Sequence, residues 1–293
     1  MRFGFGFVLV MAVLALCLLF GCASTLNPNE KAYNITAKDI VLQASDVGYG
    51  YQLADGGVLD FNELKSLAPE LFNDVSPKDV GKMQQLFSGY YAVYTPQHQD
   101  SQQNGISITL QAVQLLSTCD ANQVYSGGVT SFSNINNMTM NGIHIISVSK
   151  IVDAPKFGDE SASFQVSGSL SDYNQPANAI MIMSKKNNQL LEVVIWDFGN
   201  SNAQLQQQSN QLMTKMIDKL DTLTIKAPQL ENNVCSSSGV PIAELIGRFL
   251  GFVLLYVILK GLWDFWHNGV QNTLDKGNKI LDEKFGKEKK KKL

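Results

Sequence analysis

Four cysteines carry the most reactive chemistry in this 293-residue chain. Cys17 lies inside an apolar run and Cys22 at its end, while Cys119 and Cys235 lie in the polar body of the chain. Two cysteines in an oxidising compartment can pair. A Cys119–Cys235 bridge would close a loop of about 115 residues and restrict the unfolded chain by about 4–5 kcal/mol in the simple loop-entropy picture. The alternative is two unpaired thiols. The histidines His98, His144 and His267 are far apart, and no Cys-x-x-Cys or His-x-x-x-His spacing gathers metal ligands. Asp153, Asp159, Glu160 and Asp172 are near one another in sequence but lack the regular spacing of a calcium loop, so they read as solvated loop charges. No Gly-x-Ser-x-Gly elbow and no Walker-type glycine loop occurs. Accordingly no catalytic residue, metal ligand or cofactor is expected. Asn34-Ile35-Thr36 and Asn137-Met138-Thr139 fit the N-glycosylation triplet, in loops expected to be exported.

Charge is unevenly spread. Residues 30–238 hold 12 basic and 20 acidic side chains, a net of −8 within a chain of net −3. That segment contains no Arg, the residue whose planar fork grips phosphates. An acidic, Arg-free body excludes nucleic acid as a natural partner. An apolar share of 45% excludes global disorder.

The two ends read as membrane signals. Arg2 precedes an uncharged run from Phe3 to Phe20, which has the form of a secretory signal or signal anchor. Leu19-Phe20-Gly21-Cys22 resembles the lipobox of bacterial-type lipoproteins, which implies cleavage before Cys22 and lipid attachment to its sulfur. Phe20 departs from that pattern, where a small or β-branched residue is usual. The alternative is an uncleaved anchor helix. At the other end, residues 240–266 contain an apolar core from Phe249 to Leu259 and reach spanning length when Pro241 to Trp263 are included. Trp263 and Trp266 fall where an interfacial belt would sit. Glu244 and Arg248 are four apart, so they share a helix face and can pair. They either reach outward to the headgroups or meet a partner membrane helix. The Lys-rich tail, residues 267–293, belongs on the cytoplasmic side, which puts the body outside the membrane.

Between the ends, residues 30–226 read as one domain, followed by a connector at 227–239. Ile106, Ile108, Leu110 and Ala112 alternate with Ser107, Thr109 and Gln111, the pattern of a half-buried strand. Further strands are expected at 89–94, 143–151, 161–169, 179–185 and 190–197. Lys186-Asn187-Asn188-Gln189 should turn the last two into a hairpin. Ser117-Thr118 should cap a helix over 119–131. Leu205, Leu212, Met213, Met216, Ile217, Leu220 and Leu223 line one face of a long helix over 202–223. Phe61 to Phe72 and Pro77 to Phe87 read as two shorter helices. The fold class is therefore α+β, a mostly antiparallel sheet with packed helices.

This element order, together with the Gly158-Asp159-Glu160-Ser161 turn entering a strand, resembles the PsbP-like α/β/α sandwich over residues 38–225. Exported lipoproteins of that fold often carry such a "GDxS" turn. The resemblance implies a non-enzymatic, membrane-attached extracytoplasmic module that binds or supports other components, and it carries over no catalytic residue. The expected function is thus a membrane-anchored binding or accessory protein, with membrane lipid and a membrane-protein partner as its contacts. The rivals are an envelope enzyme whose site is assembled from distant residues, and a signalling subunit acting through the Glu244/Arg248 helix.

Overall fold

The computed structural model describes residues 31–59, 87–97, 106–135, 137–140, 143–170, 175–198 and 202–230. Cys22, Cys235, Glu244, Arg248 and His98, the expected helix at 61–72, all of the one expected at 77–87 except Phe87 (which is in a strand), and the expected span at 240–266 lie outside them. Among the described residues no helix is long and apolar enough to cross a membrane.

Eight antiparallel strands form a single sheet in the order β1-β2-β3-β8-β7-β6-β5-β4. They are β1 Tyr51–Leu59, β2 Phe87–Pro96, β3 Ile106–Leu115, β4 Met138–Met140, β5 Ile143–Lys150, β6 Glu160–Leu170, β7 Gln175–Lys186 and β8 Gln189–Asp197. Four helices are described: α1 Ala37–Ile40, α2 Ala44–Val47, α3 Thr118–Ser133 and α4 Asn202–Thr224. The α+β class and the antiparallel sheet agree with the sequence. So do the helices begun by Ser117 and Asn202, and the β7–β8 hairpin.

The two long helices lie on opposite faces. On one face α4 crosses β7 and β8 and inserts Leu205, Leu212, Met213, Met216 and Leu220, each at most 2% exposed. They meet Ile108, Leu110, Ile182, Val193 and Ile195 of the sheet. Each such side chain contributes about 1.5–3 kcal/mol on burial. Lys215 and Lys219 of α4 donate to the carbonyls of Asp46 and Val41, at 2.6 and 3.0 Å, and tie the short helices α1 and α2 to it. On the other face α3 packs over β5, β7 and β8. There Phe132 meets Phe164 edge-on at 5.2 Å, and Trp196 stacks on Phe198 at 6.2 Å. The Ser117 hydroxyl accepts from the Asp120 N–H at 3.0 Å and starts α3.

One expectation fails. The segment 106–112 is not half-buried, because β3 lies inside the sheet between β2 and β8 with packed material on both faces. Ser107, Thr109 and Gln111 are only 2%, 2% and 5% exposed. A period-2 alternation fixes which side chains share a face; it does not say that the polar face meets water.

The Gly158-Asp159-Glu160-Ser161 turn clamps onto the β7–β8 hairpin. Gly158 has φ +64°, and a Cβ there would sit 2.5 Å from the Lys185 carbonyl oxygen. The Asp159 N–H donates to that same carbonyl at 2.8 Å, and the Asp159 carboxylate accepts from the Asn187 N–H at 2.6 Å. Asn187, in the two-residue hairpin loop, itself takes φ +55°, a conformation asparagine tolerates better than most residues.

The packed chain continues past the expected boundary at 226. The Leu230 N–H donates to the Ala32 carbonyl at 2.8 Å, the Asn34 N–H donates to the Pro228 carbonyl at 3.1 Å, and Tyr33 bridges Gln229. Asn188 locks this closure to the sheet. Its Oδ1 accepts from the Tyr33 N–H at 2.8 Å, and its Nδ2 donates to the carbonyls of Tyr33 at 3.0 Å and Leu115 at 2.7 Å.

Candidate functional site

The register of the central strands stacks polar residues on the α3 face of the sheet. Gln111 of β3 is paired with Glu192 of β8, which is paired in turn with Met183 of β7. One step along, Thr109 pairs with Val194, and one further, Ser107 pairs with Trp196. The hydroxyls of Thr95, Ser107 and Thr109, the Trp196 indole N–H and Glu192 Oε1 are buried without a hydrogen-bond partner. Most buried polar groups in folded proteins are paired, because leaving one unpaired costs about 1–3 kcal/mol. These five atoms fall on β2, β3 and β8; Ser163 of β6, Gln189 of β8 and Ser209 of α4 carry further unpaired buried polar atoms elsewhere in the domain.

At the Glu192 end the strip opens on a cavity of about 20 Å³, space on the order of one water molecule. Gln111, Tyr125 and Glu192 are among its lining residues, together with Ser184 from the next position of β7. Burial holds the Glu192 carboxyl well above the usual carboxylate range. Burial also raises the Tyr125 phenol, and the Glu160 carboxylate adds to that rise. Ser184 is committed elsewhere, since its hydroxyl donates to the Phe157 carbonyl at 2.9 Å.

Beside the cavity, Lys185 is fully buried. Its ammonium pairs with Glu160 at 3.3 Å and donates to the Asn122 side chain. Burying a lysine is costly unless it is matched in this way, and the match fastens α3 to β6 and β7. Sequence reasoning missed Glu192, Lys185 and Tyr125. The available signal was a lone carboxylate in Leu190-Leu191-Glu192-Val193-Val194-Ile195-Trp196, a run apolar enough to be buried on both faces.

The residues singled out from the sequence lie elsewhere. Cys119 is 1% exposed and disulfide-bonded, with its partner sulfur outside the described residues. Asn34 is exposed, and its side-chain oxygen accepts from Gln114 at 3.2 Å. Asn137 is exposed with φ +53°. His144 is partly exposed on β5. Asp159 and Glu160 are engaged by the hairpin and by Lys185. Among the described residues no three His, Cys, Asp or Glu side chains converge as a metal site would require.

No protein-family profile and no curated protein sequence matches the chain. Among solved structures, the extracellular domain of PknH from Mycobacterium tuberculosis is similar. It is 10% identical, the match covers 64% of this chain and 95% of that one, and the TM-score is 0.40.

Proposed function

We propose that this chain is an exported binding or accessory module of the PsbP-like kind, held at a membrane through the segments that flank the domain. In this reading residues 240–266 span the bilayer and residues 267–293 lie in the cytoplasm. The N-terminal run acts either as a lipoprotein signal ending at Cys22 or as an uncleaved anchor. Glu244 and Arg248 either reach toward the headgroups or meet a partner helix. The observation that carries the reading is the closure of the domain ends. Residues 32–34 and 228–230 are hydrogen-bonded side by side, so both flanking segments depart from one point of the domain. Nine residues, 231–239, separate the closure from the apolar stretch that begins at Val240. Two apolar flanks leaving one point can enter one bilayer from the same side without crossing the domain.

Protease added to intact cells tests the topology. The domain should be digested while a tag placed after Leu293 survives. Loss of the tag without permeabilisation would overturn the orientation, and survival of the domain would overturn export.

A further inference from the structure

Lys185 of β7 is fully buried. Lysine is seldom buried so completely, because its long stem normally carries the charge out to water. Here the nitrogen is turned inward. Its Nζ contacts Oδ1 of Asn122, in the second turn of α3, and lies 3.3 Å from Oε1 of Glu160, the cross-strand partner of Lys185 on β6. All three groups stand on regular backbone, and the Lys185 carbonyl is itself held by the Asp159 N–H at 2.8 Å. An amine, a carboxamide and a carboxylate fixed at one point are the nucleophile, the electrophile and the proton carrier of an amide exchange.

We propose that Lys185 and Asn122 join in an intramolecular isopeptide bond, with Glu160 carrying the protons. The oxygen that Nζ touches is bonded to Cγ of Asn122, so the amine stands beside the carbon it attacks. Glu160 takes a proton from the Lys185 ammonium. The freed lone pair adds to Cγ while the carbonyl pair moves onto Oδ1. Glu160 gives its proton to Nδ2 and takes a second one from Nζ. The Cγ–Nδ2 bond then breaks as the carbonyl re-forms, and the departing ammonia receives the proton left on Glu160. One Cγ–Nζ bond replaces one Cγ–Nδ2 bond, an ammonium ion is released, and Glu160 ends as the carboxylate it began as. No oxidant or cofactor is consumed. A carboxamide is a poor electrophile in water, but groups held in contact react as if present at about 10⁵–10⁸ M. Burial of Nζ excludes competing water, while Asn122 is partly exposed and Glu160 half-exposed, which gives the ammonium ion a way out. The bond ties α3 to β7 between positions 63 residues apart and, unlike a disulfide, is indifferent to reductant. It depends on neither the membrane topology nor the binding role proposed above.

The test is peptide mapping of the full-length chain, purified in detergent, reduced, alkylated and digested with trypsin. Asn122 falls in the peptide 83–150 and Lys185 in 157–186, because trypsin does not cut after an acylated lysine. A single branched species is expected, lighter than the two peptides together by one ammonia, about 17 Da, with fragments that place the link between Lys185 and Asn122. Asn122→Ala and Lys185→Arg should yield the peptides unjoined. Glu160→Gln keeps the shape of the side chain but removes the proton carrier, and should also leave them unjoined. Thermal unfolding of each variant verifies that it is folded, and the unaltered chain decides the matter without any of them. Separate recovery of 83–150 and 157–185 from the folded parent overturns the proposal. So does a link from Lys185 to Glu160 with loss of water, or an undiminished link in a folded Glu160→Gln chain.

Discussion

Replacing Asn188 by alanine should loosen the closure of the domain while leaving the sheet intact. The Asn188 side chain is fully buried and makes three hydrogen bonds, one from the Tyr33 N–H and one to each of the Tyr33 and Leu115 carbonyls. At about 1 kcal/mol each, with a further cost for groups left unpaired, the loss comes to about 3–4 kcal/mol. For a domain of roughly 200 residues that lowers Tm by about 6–16 °C. The Leu115 N–H still donates to the Asn188 backbone carbonyl at 2.9 Å, so the hairpin survives. Amide exchange locates the effect. Protection should fall at residues 32–34 and 228–230 and persist in β7 and β8. Asn188→Asp sharpens the test. It keeps the acceptor for Tyr33 but turns an oxygen toward two carbonyl oxygens, so it should destabilise more than alanine does. An alanine variant within about 1 kcal/mol of the parent, or an aspartate variant more stable than the alanine one, would refute this account of the closure.

Three other outcomes are expected. Glu192→Gln should be worth more as pH rises, because burial raises the folded-state pKa of Glu192 above its unfolded value. The stability associated with its protonated form is full below about pH 4.3 and is lost as pH rises through the higher folded value. Denaturation midpoints of the pair should therefore coincide near that pH and diverge above it, with the Gln chain the more stable; a constant difference would refute the burial argument. Gly158→Ala must hold φ +64° and place a Cβ 2.5 Å from the Lys185 carbonyl oxygen. Strain and displacement together should cost about 2–4 kcal/mol, readable as a lowered urea midpoint, and a change under about 0.5 kcal/mol would contradict the described turn. Finally, non-reducing peptide mapping should recover Cys119 joined to Cys235, since Cys17 and Cys22 lie in and beside the signal run; a Cys119 peptide joined to either of those would be the contrary result.

What could be read from the sequence follows from which forces are local. The long helix over 202–224 announces itself because its apolar stripe recurs with the helical period. The β7–β8 hairpin does so because Asn187-Asn188 sits between two apolar runs. Edge strand β1 was not placed: in Tyr51–Leu59 the residues are mostly exposed and two glycines interrupt the pattern. The short helices α1 and α2 have four residues each, too few for a period to register. The polar strip was legible as an alternation but not as an interior. Whether Ser107, Thr109 and Gln111 meet water depends on strand order, and strand order is a long-range property. Lys185 and Glu160 are ordinary surface residues in sequence, and only the pairing of β6 with β7 brings them together under α3.

The meeting of the two domain ends makes the fold portable. Because Ala32 and Leu230 touch, the whole unit could be placed within a surface loop of another protein with little entropic cost of holding the loop ends together. For the same reason the ends could be joined by a few residues and the chain reopened at the exposed turn around Val152 and Asp153, a circular permutant with the same sheet. A domain built this way can change its position along a gene without changing its interior.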